Sequence, residues 1–178
     1  MERKEFYPKD YMNIEVGDLL GMMFDWPISI VKKLYPLLGK EKALALVNEA
    51  VSELASRKAS YYHGPPTPFR SFEEVLSFFS GIFVDNYKGP LDPLNELVQK
   101  TVAVEDMKIG KNEVTFKITR CLWAKICKEM GAPEVGKIMY CDFDFPHARW
   151  WSPKLKLEKK QTIMEGAPHC DFRYIWEE

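Results

Sequence analysis

The sequence predicts an α+β fold in which helices come first and an antiparallel sheet of about four strands follows. Apolar residues recur at helical spacing within residues 1–95. Residues 98–178 instead contain two stretches of alternating apolar and polar residues, each folded around a turn, with helical stretches between them. At 178 residues the chain has the size of one domain, which we assign to residues 1–178 and which can bury its own core.

The N-terminal half contains three predicted helices. Leu44, Val47, Val51 and Leu54 are spaced as on one helix face, within a stretch of strong helix formers that ends at residues 61–66. A shorter helix is expected in residues 26–38, limited by its two prolines, Pro27 and Pro36.

The third helix is expected to begin at Ser71, which forms a capping box with Glu74, and to continue to Tyr87. Its apolar residues, among them Ile82 and Phe83, cover much of the circumference. Such a helix is either deeply buried or part of a subunit interface.

The C-terminal half is predicted as hairpin, helices and hairpin. Residues 102–120 alternate around a turn at residues 110–112, and the next helix ends at Gly131 before Pro133. A further short helix is expected in residues 133–142. In the second hairpin, one strand runs from Leu155 to Ile163, and the other places Cys170, Phe172, Tyr174 and Trp176 on one face.

The bulk composition excludes several classes of protein. The 25 basic residues are balanced by 26 acidic ones, so we expect no nucleic acid partner. The local basic run, formed by Lys154, Lys156, Lys159 and Lys160, is interpreted as a solvated strand face. No signal peptide or run of about 18 apolar residues is found, so we expect a cytoplasmic protein without membrane contact, whose four cysteines are reduced.

Two cysteines lie at chemically distinct places. Cys121 falls where a strand ends and a helix begins, a position where exposed amides favour the thiolate and lower the thiol pKa. Cys170 shares a strand face with aromatic residues, which is typical of a small buried hydrophobe. Its neighbour His169 points to the opposite face, so the two do not form a catalytic pair.

The densest cluster of reactive side chains lies in residues 140–151. Cys141 and Asp144 are one helical turn apart if the preceding helix continues that far, which suits a thiol beside a carboxylate. His147 either contacts a ligand or lies exposed in a loop, and Trp150 can line an apolar pocket. A metal site would have to gather Cys121, Cys141 and Cys170 from across the fold around a zinc or iron ion.

The C-terminal half resembles the family of L-2-amino-thiazoline-4-carboxylic acid hydrolases over residues 98–178. The residues that carry the resemblance are Cys121 at the strand-to-helix junction, Cys141 with Asp144, and a closing motif of Gly166, three residues, Cys170, one residue and Phe172. This ending also resembles 4-vinyl reductase-type small-molecule-binding domains, whose α+β fold often forms dimers.

The first resemblance implies a hydrolase that opens a cyclic C–N or C–S bond. Cys121 or Cys141 would supply the nucleophile and Asp144 the acid, while Arg149 or Arg173 would pair with a substrate carboxylate. The second resemblance implies a non-catalytic sensor of a small molecule or metal. A homodimeric interaction module, with its cysteines in the core, is the third alternative. The first two share one expectation, a small-molecule ligand.

Overall fold

The computed structural model describes residues 16–62, 68–83 and 100–178. It confirms the predicted α+β class, with helices packed around a four-stranded antiparallel sheet. The helices are α1 (Val16–Leu38), α2 (Lys40–Tyr62), α3 (Phe72–Phe83), α4 (Leu122–Glu129), α5 (Pro133–Gly136) and α6 (Asp144–Trp151). The strands are β1 (Val102–Ile109), β2 (Glu113–Cys121), β3 (Leu155–Glu158) and β4 (Cys170–Trp176), with a π-helical turn at Lys137–Cys141 and a 3-10 turn at Ile163–Glu165.

Both predicted hairpins are present, and they lie side by side in the sheet. The strand order is β1-β2-β4-β3, and β2 pairs with β4 so that Phe116 lies opposite Phe172. The prediction that the first strand of the second hairpin extends to Ile163 is wrong. β3 ends at Glu158, and Ile163 begins a 3-10 turn, which Thr162 caps by accepting a hydrogen bond from the amide of Glu165 at 3.2 Å.

Helix α1 is longer than predicted, because it continues through both prolines. A proline inside a helix removes one hydrogen bond and crowds the preceding turn. Burial of one helix face opposes this cost, since Leu20, Phe24 and Ile28 recur every fourth residue and each is at most 3% exposed. The prediction that prolines limit this helix is therefore wrong.

Helices α2 and α3 occur where the sequence predicts them. At the start of α3, the hydroxyl of Ser71 accepts a hydrogen bond from the amide of Glu74 at 3.4 Å, and the Glu74 carboxylate accepts one from the amide of Arg70 at 2.7 Å. The second bond comes one residue earlier than in an ideal capping box. Residues 84–87 and the side chains of Ile82 and Phe83 lie outside the described residues.

The buried residues form two clusters, which we call the sheet cluster and the helical cluster. The sheet cluster joins β2, β3 and β4 to α3 and includes Phe79, Phe116 and Phe172. The helical cluster joins α1 to α4 and α5. Residues that belong to or pack against either cluster line one cavity, so the cavity lies where the clusters meet. In the part of the chain that the structure describes, no helix is long and apolar enough to cross a membrane.

Candidate functional site

The cavity between the two clusters has a volume of about 190 Å³. Its wall is mostly apolar and rich in aromatic side chains, from Phe116, Phe172 and Tyr174 of the sheet to Trp123 and Tyr140 of the helical cluster. The polar side chains that interrupt this wall are Cys121, Cys141, Asp144, His147, Lys159 and Cys170, together with Thr101. An apolar wall with a few polar groups is typical of a small-molecule site.

Cys121 lies at the predicted junction, where β2 ends and α4 begins. Its thiol accepts a hydrogen bond from the amide of Ala124 at 3.4 Å and so caps the helix. The expected lowering of its pKa is wrong, because burial raises the pKa of the Cys121 thiol and the amides of Ala124 and Trp123 offset this only in part. The helix N-terminus is present, but desolvation is the larger effect.

The other two thiols of the cavity are also held in the protonated form. Burial raises the pKa of Cys141 to about 12. Burial also raises the pKa of Cys170, although the amide of Ile163 donates a hydrogen bond to its sulfur at 3.2 Å. Cys170 is 6% exposed and faces the core as predicted, yet it also lines the cavity. The structure therefore brings Cys121, Cys141 and Cys170 to one wall.

The fourth cysteine, Cys127, lies apart from this wall in the helical cluster. Within residues 16–62, 68–83 and 100–178, no three His, Cys, Asp or Glu side chains are arranged to hold a metal ion. The zinc or iron site suggested for the three cavity cysteines therefore has no support from the geometry.

Asp144 begins helix α6, a helix that the sequence did not predict. Pro146 occupies the first turn of α6, where its missing amide hydrogen is not needed, so the proline was compatible with a helix start. The helix places Asp144 and His147 one turn apart, and both line the cavity. His147 is 7% exposed, not an exposed loop residue, and its ring lies 4.6 Å from that of Trp151.

Lys159 is the charged residue of this site that sequence reasoning missed. Its ammonium donates hydrogen bonds to the Asp144 carboxylate at 2.8 Å and to the backbone carbonyl of Cys141 at 2.5 Å. It also lies 4.8 Å from the centre of the Phe172 ring, within cation–π range. Only 3% of its side chain is exposed, so the prediction that it belongs to a solvated basic face is wrong.

The physical reason for this error is the alternation of faces along β3. Leu155 and Leu157 lie on the buried face, and Lys159 is two residues further on, so its side chain follows theirs inward although the strand itself ends at Glu158. Lys156, inside the strand, stays on the surface and pairs with Glu158 at 2.9 Å. The sequence signal that could have identified Lys159 was its two-residue spacing from Leu155 and Leu157, which Lys154, Lys156 and Lys160 do not share.

Asp144 combines partial exposure to the cavity with strong desolvation. Its side chain retains 32% exposure, but the surrounding protein replaces most of its hydration. Burial raises the pKa of the Asp144 carboxyl, and the ammonium of Lys159 opposes that rise without cancelling it. A raised pKa moves a carboxyl group toward proton exchange at neutral pH.

The predicted substrate-binding arginines lie outside the cavity. Arg149 donates hydrogen bonds to the carbonyl of Pro153 at 2.6 Å and to Glu177 at 2.8 Å on the surface. Arg173 pairs with Glu113 and with Glu158, on the face of the sheet opposite the cavity. Trp150 is absent from the cavity wall, although it stacks on His147 with ring centres 6.1 Å apart.

In the closing motif, Gly166 shapes the backbone, whereas Cys170 and Phe172 line the cavity. Gly166 has a φ of 98°, a left-handed conformation that favours glycine, and it ends the 3-10 turn. Cys170 and Phe172 follow on the buried face of β4 and both line the cavity. The motif therefore positions β4 and supplies two residues of the wall.

Comparison with known proteins finds a matching family and similar solved structures. The crystal structure of the phenol-responsive sensory domain of the transcription activator PoxR with phenol is similar over 93% of this chain and 76% of that chain, at 15% sequence identity and a TM-score of 0.41. No curated protein matches the sequence.

The family comparison covers most of the chain. The family model for L-2-amino-thiazoline-4-carboxylic acid hydrolase matches residues 21–174, a range that includes every polar residue of the cavity wall and all but the first turns of α1. It extends the resemblance seen in the C-terminal half into the helical half. The chain therefore belongs to the L-2-amino-thiazoline-4-carboxylic acid hydrolase family.

Proposed function

We propose that the cavity is the reaction site of a hydrolase that opens a C–N or C–S bond in a small cyclic, amidine-like molecule. The observation that carries this proposal is the pair formed by Asp144 and Lys159, 2.8 Å apart in an otherwise mostly apolar wall. Family membership supports the reaction class, and the volume of about 190 Å³ suits a molecule with one ring.

The reaction implied by the family name converts the thiazoline ring into N-carbamoyl-cysteine. The oxygen of water forms a bond to the amidine-like carbon, the bond from that carbon to sulfur breaks, and the two protons of water end on the ring nitrogen and on the sulfur. Asp144 is the proposed group that transfers protons, because its raised pKa brings it closer to neutral pH. Lys159 holds its carboxylate in place.

Cys121 and Cys141 are the proposed thiol partners in the wall. A cysteine nucleophile must first lose its proton, and burial makes this costly at both residues. Cys121 is the better nucleophile of the two, because the amides of Ala124 and Trp123 oppose the rise in its pKa. Direct attack by water needs neither thiolate.

The test is a ring-opening assay with L-2-amino-thiazoline-4-carboxylic acid. Asp144→Asn should lower kcat by about 100-fold or more, the usual contribution of a positioned acid or base. Asp106→Asn is the matched control, because Asp106 also pairs with a lysine, at 2.6 Å, but on the surface. Loss of turnover in Cys121→Ser would indicate a covalent route, and retained turnover would indicate water attack. Equal rates for the two aspartate variants would refute the role of Asp144.

A second candidate function is binding of a small molecule without turnover. It is favoured by the protonated state of Cys121, Cys141 and Cys170, which lack the activation expected of catalytic thiols. This candidate predicts that single-ring compounds raise the unfolding temperature of the protein while no thiazoline acid is consumed. Turnover that depends on Asp144 would exclude it.

A further inference from the structure

Lys159 is the one lysine or arginine among the described residues of the cavity wall. An ammonium group carries three N–H donors, and two of them are used by the Asp144 carboxylate and the Cys141 carbonyl. One donor is left for a ligand. The two arginines predicted to hold a substrate carboxylate are engaged on the surface instead.

We propose that Lys159 binds an anionic group of the ligand and that Asp144 takes up a proton from solvent when this anion binds. The ligand class is a single-ring compound with one carboxylate or similar acid group. This inference deepens the proposed function and rests on the cavity being the ligand site. The bound state then holds one ammonium, one ligand anion and one neutral carboxylic acid.

The charge balance of the cavity is the reason for the coupling. Without ligand, Lys159 and Asp144 neutralise each other in a mostly apolar wall. A ligand anion would place a second negative charge beside one ammonium, and an unpaired charge in such surroundings is expensive. Protonation of Asp144 restores neutrality, and its pKa is already raised by burial.

The surroundings of Asp144 favour this proton uptake. Asp142 adds negative charge on the same side, and the thiols of Cys121, Cys141 and Cys170 and the phenol of Tyr174 interact with its carboxylate. Among the residues that the structure describes, Lys159 is the cation that acts on it. His147, on the next turn of α6, is a second titratable side chain that lines the cavity, so the experiment must distinguish proton uptake by Asp144 from proton uptake by His147.

The size of the cavity determines which compounds can be used to test this inference. An apolar protein cavity of about 150 Å³ can hold benzene, so about 190 Å³ is enough for a ring with one small substituent. Benzoate and benzamide have nearly the same shape and differ in charge. Their binding can be measured by titration calorimetry between pH 6 and pH 9, in buffers with different ionisation enthalpies, which gives the number of protons taken up.

The wild-type protein should bind benzoate at least 10-fold more tightly than benzamide. Benzoate binding should take up protons within this pH range, at most one per chain, and its affinity should fall as pH rises. Lys159→Met should remove the preference for benzoate. Asp144→Asn should bind benzoate at least as tightly as the wild type but without proton uptake. This result distinguishes uptake by Asp144 from uptake by His147, which the variant retains.

Three results would overturn the inference: equal affinity for the two probes, no proton uptake between pH 6 and pH 9, or unchanged uptake in Asp144→Asn. If Lys159→Met does not fold, the comparison of proton uptake between the wild type and Asp144→Asn still tests the inference. Benzoate binding as described without turnover of the thiazoline acid would refute the hydrolase proposal and support the role of Lys159. Turnover by Lys159→Met with an unchanged KM would refute the role of Lys159 alone.

Discussion

Replacement of Lys159 by methionine should destabilise the protein far more than the same change at a surface lysine. Lys159→Met keeps the length and the apolar stem of the side chain but leaves Asp144 without its cation. With an effective dielectric constant of about 20, opposite charges 2.8 Å apart attract by about 6 kcal/mol. Desolvation of the pair offsets part of this attraction, and removing one partner of a buried pair costs about 3–5 kcal/mol. We expect about 3 kcal/mol at pH 8, because Asp144 is not fully buried.

The size of this loss should depend on pH in a defined direction. Burial raises the pKa of the Asp144 carboxyl in the fold, so the unfolded chain releases this proton at lower pH, near its ordinary pKa of about 3.9. The free energy of unfolding therefore falls as pH rises from about 3.9 through the pKa of the folded state. Lys159→Met removes the charge that lowers the pKa of Asp144 in the fold. The pH range over which stability falls then extends to higher pH. The loss should shrink as pH falls toward 4, because Asp144 becomes increasingly protonated in the folded protein and then no longer needs the charge of Lys159.

Urea denaturation at pH 4 and pH 8 measures this difference directly. Lys117→Met is the matched control, because Lys117 pairs with Asp106 at 2.6 Å while both side chains remain more than 40% exposed. An exposed pair is screened by solvent and contributes little to stability. The double variant with Asp144→Asn should lose less than the sum of the single losses. Equal losses for the two methionine variants at pH 8, or a Lys159→Met loss that grows toward pH 4, would refute this account of the pair.

Two further predictions concern the thiols and the packing of α5. The native protein should react slowly with a chromogenic disulfide reagent at pH 7.5, because burial raises the pKa of Cys141 to about 12 and that of Cys127 to about 11; one thiol that reacts as fast as free cysteine would contradict this. Gly136→Ala should cost about 1–3 kcal/mol in thermal or urea unfolding, because its Cβ would lie 2.7 Å from the sulfur of Cys127. Gly21→Ala, within α1 and with no atom within 4 Å of the new Cβ, should instead stabilise by about 1 kcal/mol.

The fold was largely predictable because its elements follow local rules. The hairpin around residues 110–112 and the cap at Ser71 depend on neighbours close in sequence, and both formed as predicted. Helix α1 was predicted too short because the rule for proline is local, whereas burial of Leu20, Phe24 and Ile28 depends on α4 and α5, far along the chain. Tertiary contacts overrode the local signal there.

The candidate site was predictable in part for the same reason. The positions of Cys121, Cys141, Asp144 and Cys170 follow from strand and helix boundaries, and the structure places all four on one cavity wall. The alternation that places Leu155 and Leu157 inward also indicates an inward Lys159, but its partners, Asp144 and the carbonyl of Cys141, come from another segment, so the ion pair could not be predicted in this way. Position also does not fix chemistry, since a helix N-terminus was present at Cys121 but burial still raised its pKa.

Desolvation therefore decides which groups of this cavity can react. The same apolar wall raises the pKa of the three thiols and of the Asp144 carboxyl. For a thiol this shift moves the group away from its reactive, charged form, whereas for a carboxyl it moves the group toward proton exchange at neutral pH. A wall of this kind suits acid–base chemistry on a bound ring better than attack by a resting thiolate. Asp144 and Lys159, more than the cysteines of the family motif, are then the residues on which turnover and ligand charge should depend.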